Sequence, residues 1–169
     1  MVEVQDVPKG KQTVLELYVT AKEAYEMWKA APRNVAVLDV RTPEEYGFVG
    51  HAEMARNIPI VFVTYKWDAE KNGPVLKPNA AFLDMARSHY KPDDTILVTC
   101  RSGGRGAAAV NALAQVGFKN AYNIIDGIEG DMEKNLSSAN CGQRTVNGWK
   151  NSGAPWTYSL DPELMWIEK

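Results

Sequence analysis

The chain has 169 residues, 45% hydrophobic and 24% charged, with a formal net charge of −2 at pH 7. That is enough for one domain with its own core. The balanced charge gives no electrostatic case for nucleic acid or an anionic membrane surface, and no apolar run approaches the ~20 residues needed to span a bilayer. Two cysteines do not make a disulfide framework. With two histidines and no close Cys/His cluster, no metal site is expected. The start, Met-Val-Glu-Val-Gln-Asp-Val-Pro, lacks the basic end and apolar core of a signal peptide. Localisation stays open: cytoplasmic for the chain as written, periplasmic if an export signal was removed.

Residues 1–17 are polar and weakly patterned, and read as an N-terminal arm that packs on the body or frays. Thr20-Ala-Lys-Glu23 is a capping box. It opens a helix with Ala21, Ala24, Tyr25 and Trp28 on one face, ending before Pro32. Val35–Val40 is a buried strand by composition. Thr42-Pro-Glu-Glu45 is a second capping box with Pro43 at the favoured first helical position. Its helix must be short, because Gly47 and Gly50 follow. Arg41 is expected to pair with a carboxylate, Glu45 being the candidate, as scaffolding rather than chemistry. Asn57–Val63 reads as a strand leading into a long polar connection, Thr64–Pro78. Loops of that length are often functional. Two readings stand for Phe62, Tyr65 and Trp67: they wall the mouth of a site, or they cover the sheet edge. Asn79 is read as the cap of a helix carrying Phe82, Met85, Ala86 and His89 at helical spacing. His89 and His51 are read as structural residues, not ligands.

Thr95–Cys100 is an apolar run rich in β-branched residues, the pattern of a buried parallel strand. From Gly104 or Arg105 a helix follows, with Ala109, Ala112, Leu113 and Val116 on one face and Gly117 as its stop. The joining loop, Cys100-Arg-Ser-Gly-Gly-Arg105, puts a cysteine at a strand end, facing a helix N-terminus, beside two arginines. Backbone N–H groups, the helix dipole and the two guanidinium charges all favour a thiolate over a thiol. Ala121–Ile125 reads as the last strand. Strands alternating with helices imply an α/β fold with a central, mostly parallel sheet flanked by helices, and active sites in such sheets lie beyond the carboxyl ends of the strands.

The cysteine loop resembles the active-site loop of the rhodanese family, sulfurtransferases that carry sulfane sulfur as a cysteine persulfide. Val37-Leu-Asp-Val-Arg-Thr-Pro-Glu-Glu-Tyr46, with Gly50-His51 and Asn57-Ile58-Pro59, is similar to the family's N-terminal signature. Ala121-Tyr-Asn-Ile-Ile-Asp-Gly-Ile128 is similar to its C-terminal one, with Gly148–Trp156 as a displaced end. The resemblance implies a rhodanese-like domain over residues 18–156, with an apparent insertion at about 129–147, preceded by the 1–17 arm and followed by a 157–169 tail. It implies that Cys100 attacks a small sulfur donor, thiosulfate or polysulfide, and passes the sulfur to a thiol or cyanide, with no cofactor. The N–H groups of Arg101, Ser102, Gly103, Gly104 and Arg105 would hold the terminal sulfur, and Arg101 and Arg105 would draw in an anionic donor. A homodimer stays open. Two alternatives stand. One is a non-catalytic sulfide-sensing or interaction module, against which the cysteine speaks. The other is a phosphatase or arsenate reductase of the same fold, against which the four-residue spacing from Cys100 to Arg105 speaks. Cys141, in the insertion, has three open roles: bystander, resolving thiol for Cys100, or carrier of an intermolecular bond.

Overall fold

The computed structural model describes residues 2–167; residue 1 of the arm and residues 168–169 of the tail lie outside the described residues. β1 (Tyr18–Val19) leads through Thr20 into α1 (Ala21–Ala30). The Thr20 hydroxyl accepts the Glu23 N–H and the Glu23 carboxylate accepts the Thr20 N–H, a complete capping box. β2 (Val35–Asp39) runs into α2 (Pro43–Val49), whose box is closed reciprocally by Thr42 and Glu45. Two short strands follow, β3 (His51–Ala52) and β4 (Arg56–Asn57), then β5 (Val61–Asp68) and β6 (Gly73–Pro78). The chain continues through α3 (Phe82–His89), β7 (Thr95–Thr99), α4 (Gly104–Gln115) and β8 (Asn120–Ile124), and closes with β9 (Trp156–Thr157).

The main sheet has the order β1-β8-β7-β2-β4, every pairing parallel. Its middle strand, β7, buries Ile96, Leu97 and Val98 completely. That explains why the strand reads as a continuous apolar run: both faces are covered. Ile96 and Val98 pack with Phe82, Ala86, Val110 and Leu113 of α3 and α4 on one side. Leu97 packs with Ala24, Tyr46 and Trp149 on the other, where α1 and α2 lie. The fold is thus α/β with helices on both faces of a parallel sheet. No helix of the described residues is long and apolar enough to cross a membrane.

Four expectations about the elements need correction. The strand read at Asn57–Val63 is two pieces. Arg56–Asn57 stays in the main sheet and Val61 begins a separate two-stranded sheet; Ile58 and Ile60 still donate to the Asp39 and Val40 carbonyls, so the chain leaves the main sheet only where β2 itself ends. The connection read as a loop from Thr64 is a hairpin of β5 and β6. Val61–Trp67 is strongly β-prone, Asp68 accepts the Glu70 and Lys71 N–H groups across the turn, and Asn72 takes a left-handed φ of 48°. Asn79 does not cap α3 directly. Its side chain accepts the Ala81 N–H, closing a turn just before the helix starts at Phe82. β8 is not the last strand, since β9 pairs antiparallel with β3.

The arm, the 129–147 segment and the tail are all tied to the body. The arm buries Val7 and Thr13. The segment 129–147 contains no helix or strand, and its ends are stitched together: Asn147 accepts the Asp131 N–H and donates to the Asp131 carboxylate. The tail crosses the β4 edge, where Leu164 accepts the Asn57 N–H, and its Trp166 ring lies 5.8 Å from that of Phe62.

One buried ion pair joins β2 to α2. Asp39 and Arg41 are both fully buried, with Arg41 Nη2 2.6 Å from Asp39 Oδ2. Arg41 also donates to the Gly50 and Glu45 carbonyls, so its ion-pair partner is Asp39, while Glu45 hydrogen-bonds it through its carbonyl and acts on it by charge from further off. Removing one member of such a pair leaves an uncompensated charge in the core. Arg41→Met is expected to lower unfolding stability by about 3–5 kcal/mol, read as a fall in the urea midpoint at unchanged m-value. A loss below about 1 kcal/mol, the range of an exposed pair, would contradict this account of the pair.

Candidate active site

Cys100 follows directly on β7, at the carboxyl edge of the sheet, and is 1% exposed. The chain then turns through Arg101 and Ser102 to Gly103, and α4 begins at Gly104. The Gly103 N–H donates to Cys100 Sγ at 3.1 Å. This contact depends on glycine. Gly103 has φ 97°, and a Cβ there would lie 2.3 Å from the Ile125 carbonyl oxygen.

A second loop, after β8, clasps the first. Ile128 donates its N–H to the Cys100 carbonyl and Glu129 to that of Arg101. Here again only glycine fits: Gly127 has φ 63°, and a Cβ would sit 2.4 Å from the Cys100 carbonyl oxygen. Asn123 of β8, fully buried, donates to the Gly103 and Lys11 carbonyls. Peptide planes are rigid and trans, so each fixed carbonyl turns the next N–H the opposite way. The N–H groups of Arg101, Ser102 and Gly104 therefore face away from β8 and its loop. Those of Ser102, Gly104 and Arg105 have no protein acceptor among the described residues. Asp126 anchors the clasp, accepting the Ala21 N–H at the start of α1 and the Gly148 N–H. Burial raises its carboxyl above the ordinary aspartate value, against those two bonds.

The two arginines of the loop differ. Arg101 is exposed and has no ion-pair partner among the described residues. Arg105 makes a bidentate pair with Glu45 of α2, both contacts 2.6 Å. Its guanidinium charge is matched within the protein, which the sequence reading did not anticipate. The clasping residues Gly127 and Asn123 were missed as well. The sequence signal for Asn123 was a polar residue inside an otherwise apolar strand. His51 is buried, stacks on Tyr46 at 3.6 Å and shares a hydrogen bond with the Tyr46 carbonyl. His89 is the last, exposed residue of α3. Tyr65 and Trp67 point out of the hairpin, exposed, while Phe62 packs on the tail. Cys141 is exposed, and neither cysteine is in a disulfide. Among the described residues no cluster of three or more His, Cys, Asp or Glu side chains is placed to hold a metal.

Burial works against ionisation of Glu45, but the hydrogen bonds and charge of Arg105 outweigh it, and its carboxyl lies below the ordinary glutamate value. A lowered carboxyl stabilises the fold above the ordinary value, and that stability is lost as pH falls through the lowered value. Glu45→Gln is expected to cost about 1–2 kcal/mol near neutral pH. The wild-type advantage should hold from neutral pH down to the ordinary glutamate value and shrink below it. A difference that does not change on acidification, measured by urea unfolding, would remove the ion pair as its cause.

The chain matches the model of the rhodanese-like domain over residues 20–134. It is 31% identical over 142 residues to an uncharacterized protein of Rickettsia prowazekii, covering 83% of this chain and 96% of that one. It is 37% identical over 90 residues to the chloroplast protein named thiosulfate sulfurtransferase 16 of Arabidopsis thaliana, covering 53% of this chain and 68% of that one. Among solved structures, the crystal structure of Rv0390 from M. tuberculosis superimposes with a TM-score of 0.64 at 26% identity, covering 83% of this chain and 96% of the other. The family model takes in the cysteine loop, the Glu45 partner of Arg105 and the Gly127 clasp, and on that match the chain belongs to the rhodanese-like domain family.

Proposed function

We propose that the protein is a sulfurtransferase, moving sulfane sulfur from thiosulfate or a polysulfide to a thiophilic acceptor through a persulfide on Cys100. The observation that carries this is the Gly103 N–H on Cys100 Sγ, at the start of a loop whose unpaired N–H groups lead into the N-terminus of α4. N–H donors so placed can hold the negative charge of a persulfide's terminal sulfur. In the first half-reaction the Cys100 thiolate attacks the outer sulfur of thiosulfate. A new S–S bond forms on Cys100, the S–S bond of thiosulfate breaks, and its electron pair leaves with sulfite. In the second, an acceptor nucleophile such as cyanide takes the outer sulfur, and the electron pair of the Cys100 S–S bond returns to Sγ as thiolate. This is covalent catalysis in two halves. Neither half requires a histidine; His51 is buried against Tyr46, and His89 is exposed at the end of α3.

The pairing of Arg105 with Glu45 speaks against a phosphatase reading, which would need that guanidinium to clamp an oxyanion. Cys141 sits exposed in the 129–147 segment, and neither half-reaction as written needs a second thiol.

Cys100→Ser is expected to abolish thiocyanate formation from thiosulfate and cyanide, with far-UV circular dichroism and urea midpoint close to wild type. A folded, active Cys100→Ser protein would end the proposal. Cys141→Ser should turn over at the wild-type rate, and a non-reducing peptide map of mildly oxidised wild-type protein should contain no Cys100–Cys141 link. A link that blocks activity until thiol is added would make Cys141 a resolving thiol instead.

A further inference from the structure

Beside the cysteine loop the β5–β6 hairpin borders an open cavity of about 550 Å³. Arg101 and Arg105 form its inner wall, and the hairpin supplies the outer one. A cavity of this size is ordinary for an organic ligand, in the range of roughly 300–1,000 Å³, and far exceeds what a cyanide or thiosulfate ion fills. Its charged groups nearly cancel. Arg105 is held by Glu45 at 2.6 Å, and Lys71 lies 3.6 Å from Asp68. Of three cations and two carboxylates on the wall, Arg101 alone has no counter-charge among the described residues. Val63 and Leu76 of the hairpin, both part-exposed, add an apolar side.

On the sulfurtransferase reading, we propose that this cavity is the sulfur-acceptor subsite, and that its acceptor is a small organic thiol with an apolar body and one carboxylate, the carboxylate meeting Arg101. Cys100 is almost fully buried and does not itself line the cavity, which the loop reaches through Arg101 and Arg105. A persulfide carries the reacting sulfur one S–S bond, about 2 Å, further out, so a bulky acceptor need not reach Sγ itself. The acceptor thiolate attacks that outer sulfur, the Cys100 S–S bond breaks, its electron pair returns to Cys100, and the acceptor leaves as its persulfide. The Glu45–Arg105 pair then has a second effect. By matching Arg105 it leaves a single positive pole in the cavity and so selects for one carboxylate.

The test uses the full chain loaded with thiosulfate, freed of excess donor and then discharged with mercaptopropionate, mercaptoethanol, cysteamine or cyanide, each over a concentration series. Loss of the added sulfur is followed by intact mass. The apparent half-saturating concentration should rise in the order mercaptopropionate, mercaptoethanol, cysteamine, with the acid about two- to fivefold below the neutral thiol, the worth of one exposed ion pair. Arg101→Gln should erase that difference. Persulfide that forms and discharges with no dependence on thiol charge, or a charge order that survives Arg101→Gln, would overturn the acceptor assignment while leaving the sulfurtransferase reading intact. Failure to load sulfur at all would instead refute the sulfurtransferase reading, and the acceptor assignment with it.

Discussion

The site depends on one constraint: the cysteine loop and the loop after β8 cross in backbone contact. The Cys100 and Arg101 carbonyls are committed to Ile128 and Glu129, and the Gly103 carbonyl to Asn123. Each such bond adds only about 1 kcal/mol net to stability. Their larger effect is directional. They hold the carbonyls on one side of the loop, so that its N–H groups are free on the other before any charge develops on sulfur. Preorganised donors of this kind need no rearrangement as the reaction proceeds. The crossing is close enough that a methyl group at Gly103 or Gly127 would overlap backbone atoms. Asp126 extends the same clasp to α1 and to the far end of the 129–147 segment. That segment can therefore be long without loosening the site, since its own ends are joined through Asp131 and Asn147.

Much of this was legible in the chain because local rules and tertiary structure agree there. Both capping boxes, the short α2, the buried β7 and the start of α4 follow from residues within a few positions of one another. The cysteine loop could be read because its glycines and arginines are adjacent in sequence. What was not legible rests on partners distant in the chain. Glu45 is 60 residues from Arg105, and nothing near either residue says that they meet. Arg41 could be seen to need a carboxylate. Which one it took was settled by the geometry of the β2–α2 turn, which puts Asp39 within 2.6 Å. The hairpin was a different kind of miss. The β-prone run Val61–Trp67 and the Asn72-Gly73 pair are ordinary hairpin signals, but the polar residues between them read as a loop.

The pairing of charges changes how the loop works. Two arginines next to a cysteine suggest two anion-attracting groups. In the folded protein one of them is a strut between α4 and α2, and the other is the free pole. The N-terminal arm adds to the same region from outside. Lys11 packs against Gly103 and pairs with Asp131 at 3.0 Å, so arm, cysteine loop and 129–147 segment meet at one point. Burial alone would raise the Asp131 carboxyl, but the hydrogen bonds from Asn147 and Lys11 hold it below the ordinary aspartate value. The surroundings of the sulfur are thus built from four separate stretches of chain, all anchored on one parallel sheet.

The central claim is that sulfur is carried covalently on Cys100. The most direct measurement is to incubate the protein with thiosulfate, remove the donor, cap the sulfurs by alkylation, digest under non-reducing conditions and weigh the cysteine peptides. The account predicts one added sulfur atom on the Cys100 peptide, none on the Cys141 peptide, and loss of that sulfur on adding cyanide with an equal amount of thiocyanate formed. Sulfur found on Cys141 alone, or an unchanged Cys100 peptide in protein that still makes thiocyanate, would contradict it.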